Sequence, residues 1–455
     1  MLQQSRSLLI TYQSRSRMGY RYSSRTSAPK APGIILGFDV GSITSAVSFA
    51  LLLHDRPVEV RSVTWSTGQD SPANRIPSIM YYDRHGDLLA AGASTVSDSV
   101  ICDAEDEGWF KVERFKIHLR PYDWKFDCSD FQPGLLPPSK TAIQVMGDFL
   151  RYLYGETVRY IKQHYADGKE IWGQVSHEKY FVFSLPNGWD NVSQHRMLQA
   201  AIHAGLVSDY YEPESQVKFV FEGDASAFSC LLGHDIDDNP QNNRFVLFDA
   251  GESILQVASY EIDEIRPLSL KEISPSNHSY SGSVFIYARL RDLLKRKLCG
   301  SRYDVQEILD GILEDGFGSL LKFSFSDSKQ FYLLRVGDRR DNDSQLDIQR
   351  GFLKLDRLEL ATCFEQCVRN ALALIRQQVD LCGGKPMPVY LVGALGSNSW
   401  MVERLKESLL GDGITVASRD IDLNSAVADG CVSHVLHQAE CKREAKRADG
   451  IICSR

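Results

Sequence analysis

Residues 33–52, GIILGFDVGSITSAVSFALL, decide how the chain is read. Ile34, Ile35, Leu36 and Phe38 form a short apolar run of the kind a buried strand needs. The run stops at Asp39, and Gly41, Ser42, Thr44 and Ser45 follow. The chain then alternates, with Val47, Phe49 and Leu51 on one face and Ala46, Ser48 and Ala50 on the other. This is the pattern of a hairpin whose tight turn carries one carboxylate and several small hydroxyl residues. Glycine lets backbone approach a ligand closely, and successive amides with Ser and Thr hydroxyls can surround a phosphate. A carboxylate cannot bind phosphate itself, so its natural role beside one is to hold a hydrated Mg²⁺. An ordinary polar hairpin turn has the same composition, and this stretch alone leaves both readings open.

Outward from that hairpin, the arrangement returns about 210 residues later, an internal echo more informative than either copy. Residues 244–248 read as a strand ending in Asp249-Ala250-Gly251, and residues 254–262 as its return. Two copies of strand–Asp–x–Gly–strand suggest two related lobes facing one another across a cleft. Between the copies lie short strands at 58–63 and 76–82, then a charged aromatic segment, 103–131, in which Lys111 and Lys116 flank Phe115. Pro137-Pro138-Ser139 signals a helix start, followed by the stripe Ile143, Met146, Phe149, Leu150 and Leu153. A strand at 180–185, a helix at 192–204 and a strand at 216–221 lead into Glu222-Gly223-Asp224 and a helix of small residues, 225–232. The polar link 233–243 reads as a hinge or domain boundary. After the second copy, Ser281-Gly282-Ser283 opens a helix, and further helices are expected at 304–313, 358–379 and 401–410. A strand at 389–391 runs into Gly393, Gly396 and Ser397, and residues 425–437 are small and apolar enough to pack closely.

Composition narrows the function classes. A chain of 455 residues, 43% hydrophobic with 33 glycines, can fold into two or three domains. The net charge of -8 gives no support for a nucleic-acid-binding body. Residues 1–30 run the other way, with Arg6, Arg15, Arg17, Arg21, Arg25, Lys30 and no acid, as a disordered basic tail or a mitochondrial-type presequence would. No apolar stretch approaches the ~20 residues a membrane helix requires. Ten cysteines without a CxxC pair fit reduced thiols in an intracellular protein, and Cys363 with Cys367 lacks further ligands at metal spacing. The expected location is cytoplasmic, with mitochondrial as the alternative.

Five segments together resemble the nucleotide-binding region of the actin/Hsp70/sugar-kinase superfamily, and within it the divergent fungal Hsp70-like proteins related to the Hsp70 family-12 type. GFDVGSITSAVSFAL is similar to the first phosphate loop, and VFEGDASAFSCLL to the first connecting helix, usually close to EPEAAAL. FVLFDAGESILQVASYEI resembles the second phosphate loop, normally DxGGGTxD, and YLVGALGSNSWMVERL the adenosine loop. SAVADGCVSHVL resembles the second connecting helix, so the likeness spans about residues 33–436, most of the chain.

The resemblance implies an α/β, actin-like ATPase fold: two lobes, each with a mixed five-stranded sheet flanked by helices, and ATP or ADP with Mg²⁺ in the cleft. It implies a first lobe at 33–238 with a small subdomain about 61–138, and a second lobe at 243–414 with a small subdomain about 286–358. Residues 415–455 then return to the first lobe. By the same likeness Asp39 and Asp249 hold Mg²⁺ through water, Glu222 orients the attacking water and Lys116 faces the phosphates. Gly41, Ser42, Thr44 and Gly251 line the phosphates, and Gly393, Gly396 and Ser397 lie beneath base and ribose.

Departures from the pattern bear on activity. GGGT of the second loop is Gly251-Glu252-Ser253-Ile254 here, Gln256 replaces the second aspartate, and Ile43 stands where a hydroxyl is usual. A glutamate there would repel phosphate. About twenty residues follow the second connecting helix, too few for a peptide-binding module, so the usual Hsp70 chaperone role is not expected. Three functions follow: an Hsp70-like ATP-binding protein with weak or absent hydrolysis, a pseudo-ATPase interaction or scaffold protein, and a small-molecule kinase. The expected partners are nucleotide and a protein of unknown identity, with no nucleic acid and no membrane.

Overall fold

The structure is a computed structural model that describes residues 32–54, 56–65, 73–122, 134–208, 213–231, 243–265, 268–305, 325–417 and 425–452. In chain order the strands are β1 (Gly33–Val40), β2 (Thr44–Leu52), β3 (Val60–Ser62), β4 (Ile76–Pro77), β5 (Ile79–Tyr82), β6 (Leu88–Ala91), β7 (Phe110–Glu113), β8 (Lys179–Leu185) and β9 (Val217–Phe221). They continue as β10 (Arg244–Ala250), β11 (Leu255–Ile265), β12 (Leu268–Ser279), β13 (Phe331–Arg335), β14 (Ile348–Gln349), β15 (Phe352–Asp356), β16 (Val389–Val392) and β17 (Val416–Ala417). One large sheet has the order β3-β2-β1-β8-β9, with β4 also on β2, and the other β12-β11-β10-β16-β17. Laying β1 on β10 makes the two orders the same. In both, that strand pairs antiparallel with its hairpin partner and parallel with the strand on its other side.

The molecule therefore has two lobes, each built on a mixed sheet flanked by helices, an architecture consistent with the actin/Hsp70/sugar-kinase superfamily fold. Val40 pairs with Ser45 and Ala250 with Leu255, so the two turns are residues 41–44 and 251–254. The first sheet has one strand more than expected. The two-residue β4 pairs Thr44 with Pro77 and Ser45 with Ile76, which sets Arg75 beside the first turn. Small three-stranded sheets, β6-β5-β7 and β13-β15-β14, accompany the large ones.

Burial follows pairing. β1 is buried along its whole length, as a central strand covered on both faces must be. The helix Ala142–His164 buries Met146, Phe149, Leu150 and Leu153 of the expected stripe. It starts later than Pro137-Pro138-Ser139 because Thr141 and Gln144 form a reciprocal capping box that satisfies its first amides. Two helices join the sheets. Ala426–Ile452 sets Val432, Val435 and Leu436 against Ile35, Ala50 and Val182 of the first sheet. Glu222–Leu231 packs Phe228 and Leu231 with Phe245, Leu247 and Tyr260 of the second. The expected tail, residues 1–30, the link at 233–242 and most of the helix at 304–313 lie outside the described residues. No described helix is long and apolar enough to cross a membrane.

Where these two helices meet, His434 packs edge-on against Phe228, with ring centroids 4.7 Å apart. Burial first, then the charges of Lys218 and His437, push its imidazole down to about 4. A depressed histidine stabilises the fold above its unfolded pKa, and that stability is lost as pH falls from about 6.5 through about 4. His434→Leu is expected to remove about 2–3 kcal/mol of the acid-side loss over this window. Urea unfolding at pH 7 and pH 4 on both proteins measures it. Equal losses in both would show that His434 is not the titrating group.

Candidate functional site

Asp39 is the penultimate residue of β1 and is 4% exposed. It lies opposite Ala46, as Asp249 lies opposite Gln256, so the two carboxylates hold equivalent places in the two hairpins. Both oxygens of Asp39 accept from protein groups. Ser184 Oγ, on β8, donates to Oδ1 at 3.1 Å, and Arg75 Nη1 donates to Oδ2 at 2.8 Å. The same guanidinium donates from Nε to Thr44 Oγ1 and from Nη2 to the Thr44 carbonyl, both at 2.8 Å. Burial works against the Arg75 charge, but Asp39 and Glu252 outweigh it and raise the pKa.

The first turn meets the second. Ile43 N and Thr44 N donate to Glu252 Oε2 at 3.1 and 3.3 Å, and Thr44 Oγ1 donates to Oε1 at 2.8 Å. Gly41 can bear no side chain here, since a Cβ would lie 2.2 Å from the Thr44 carbonyl oxygen. Ser42 is half-buried within the same turn. On the other side, Gly251 N donates to Ile254 O at 3.1 Å, closing the second turn. The helix Ser283–Leu298 starts against that turn, with Val284 N donating to Glu252 O at 2.9 Å. Gly282 permits this approach: a Cβ there would sit 2.3 Å from Glu252 O.

Asp249 is the penultimate residue of β10, just before the second turn. Burial first, then Glu222 and Asp39, lift its carboxyl to about 7; Arg75 pulls it down and Glu252 pushes it up. Gly393, at φ +83°, abuts it so closely that a Cβ would be 2.2 Å from Asp249 Oδ1. Gly393 opens a short turn, with Gly396 N donating to its carbonyl at 3.0 Å, and Ser397 ends that turn. Glu222 begins its helix beside the same group. Lys116, 5% exposed, donates to Glu222 Oε1 at 2.7 Å and lies 5.8 Å from the centre of the Trp189 ring.

The residues singled out from sequence thus form one neighbourhood, in which Arg75 pairs with Asp39 and Lys116 with Glu222. Arg75 and Ser184 were missed by sequence reasoning. The donor set does not fit a hydrated Mg²⁺: the Arg75 guanidinium and the Ser184 hydroxyl already donate to the two Asp39 oxygens. Among the described residues no group of three or more His, Cys, Asp or Glu is arranged to hold a metal ion. Cys363 and Cys367 belong to the second lobe's core, where burial pushes their thiols up to about 11 and 12. No protein-family model matches this chain, and a search of curated proteins finds no match to it either.

Proposed function

We propose that the chain is a pseudo-ATPase, a two-lobed protein of nucleotide-binding ATPase type that acts by binding another protein and does not turn ATP over. The observation that carries this reading is the Arg75–Asp39 pair, at 2.8 Å on a carboxylate almost wholly buried. Phosphoryl transfer depends on positioning a nucleophile and on charges free to stabilise the phosphate oxygens. Here Asp39 answers to Arg75, and the ammonium of Lys116 answers to Glu222. The carboxylate that would orient water is thereby held by the cation that would meet phosphate. Losing one such donor costs about 3 kcal/mol, roughly a hundredfold in rate, so two such losses suppress turnover.

Calorimetric titration with ATP and ADP, with and without Mg²⁺, and a phosphate-release assay on the same sample test it. The expected result is no gain in ATP binding from Mg²⁺ and release no faster than in buffer. Changing the second turn to the superfamily pattern, with Glu252→Gly, Ser253→Gly and Ile254→Thr, is expected to tighten ATP binding at least about tenfold, or ~1.4 kcal/mol. Phosphate release by the parent protein, abolished by Asp39→Asn, would establish the weakly hydrolytic Hsp70-like reading instead. Transfer of the phosphoryl group to a small molecule would establish a kinase.

A further inference from the structure

We infer that Glu252 is a built-in oxyanion ligand, its carboxylate filling the amide-and-hydroxyl cradle of the first turn and tying the two lobes together. Three donors converge on that carboxylate, and all three come from residues 43 and 44, more than 200 positions away in the chain. Two backbone amides and a hydroxyl aimed at one carboxylate are the donor set of an anion site. Thr44 Oγ1 is polarised for the task, since it accepts from Arg75 Nε while donating to Glu252. Arg75 also donates to Asp39, so the guanidinium feeds both carboxylates, Asp39 directly and Glu252 through the Thr44 hydroxyl.

The reach of the side chain is set from behind. Val284 N and Ser283 Oγ both donate to the Glu252 carbonyl, at 2.9 and 3.4 Å, which holds the backbone from which the carboxylate extends. Equivalent pairing of the two hairpins puts Ser42 at the matching place in the first turn, where a hydroxymethyl group is too short to return the contact. A second contact between the lobes runs alongside, Ile117 packing with Phe285, Tyr280 and Val284. A glutamate that would repel a phosphate from this cradle therefore does something more specific: it takes the phosphate's place.

The inference goes beyond the pseudo-ATPase reading, and its test uses no nucleotide, so each can fail without the other. Hydrogen exchange is read at the Ile43 and Thr44 amides. They are expected to be protected in the parent protein and to exchange at least about tenfold faster in Glu252→Ala. In Glu252→Gly, inorganic phosphate is expected to raise the melting temperature saturably and to restore protection of both amides. Sodium chloride at matched ionic strength should do neither, phosphate should leave the parent unchanged, and Thr44→Val in the variant should remove the response. Should Glu252→Gly fail to fold, Glu252→Gln keeps the side chain's length without its charge and reads the same amides. Equal exchange in parent and folded variants, or equal phosphate response in parent and Glu252→Gly, would overturn the proposal.

Discussion

Arg75→Ala is expected to destabilise the protein by about 3–5 kcal/mol, the cost of leaving a buried carboxylate without its partner. Asp39 is 4% exposed, and Arg75 supplies one of the two side-chain donors that reach it among the described residues. The same truncation removes the guanidinium's bonds to the Thr44 carbonyl and hydroxyl, so the first turn loses one of its fastenings as well as its charge balance. Asp39→Asn should cost less, and the double variant less than Arg75→Ala alone, because a neutral amide tolerates the site once the cation is gone. Chemical denaturation of the parent, both single variants and the double variant completes the cycle. A loss under about 1 kcal/mol for Arg75→Ala would mean that water reaches Asp39 and that the pair behaves as a surface salt bridge. Arg75→Lys should recover part of the loss, since an ammonium keeps the charge but not the three-way fork.

The second large effect is steric. Gly430 lies in the helix Ala426–Ile452 where it crosses the helix Glu222–Leu231, and a Cβ there would stand 1.9 Å from the Ala225 carbonyl oxygen. The obstacle is backbone on a neighbouring helix, so no side chain can swing aside to relieve it. Gly430→Ala must push the helices apart and is expected to cost about 3 kcal/mol or more. Gly155 supplies the contrast: it sits on the exposed face of the helix Ala142–His164, with nothing within 4 Å of the added Cβ. Gly155→Ala is expected to stabilise by about 0.5–1 kcal/mol. Thermal melts of the two variants should move in opposite directions, and a neutral Gly430→Ala would show that the crossing has slack.

Local pattern made the two hairpins legible, because an apolar run ended by Asp-x-Gly reports both a buried strand and its turn. The equivalence of Asp39 and Asp249 followed from that repeat, and pairing bears it out residue by residue. The strand β12 escaped notice for a physical reason. LSLKEISPSNHS has no clean alternation and contains Pro275, which an edge strand tolerates and a central one would not. The helix Asp98–Glu107 was equally quiet, since it buries only Ala104; its signals were the Ser97 cap and Gly108 at φ +67°. At the site, Glu252 was readable as a charge opposed to phosphate, but its actual partners could not be inferred from neighbours in sequence. Arg75 offered still less: a lone arginine before a two-residue strand resembles any surface arginine until β4 pairs with β2. Long-range ion pairs of this kind are set by topology, which local propensity does not encode.

The crossing of the two helices also orders events during synthesis. Ile35 and Ala50, at the beginning of the first sheet, are covered by Val432, Val435 and Leu436, which the ribosome delivers nearly four hundred residues later. Until then one apolar face of an otherwise finished sheet stays uncovered. A domain with that connectivity cannot complete itself as it emerges, and its last step is the docking of a helix made after the other lobe. The nascent first lobe is thus a natural client for whatever shields hydrophobic surface in the cell, for as long as translation of the second lobe takes.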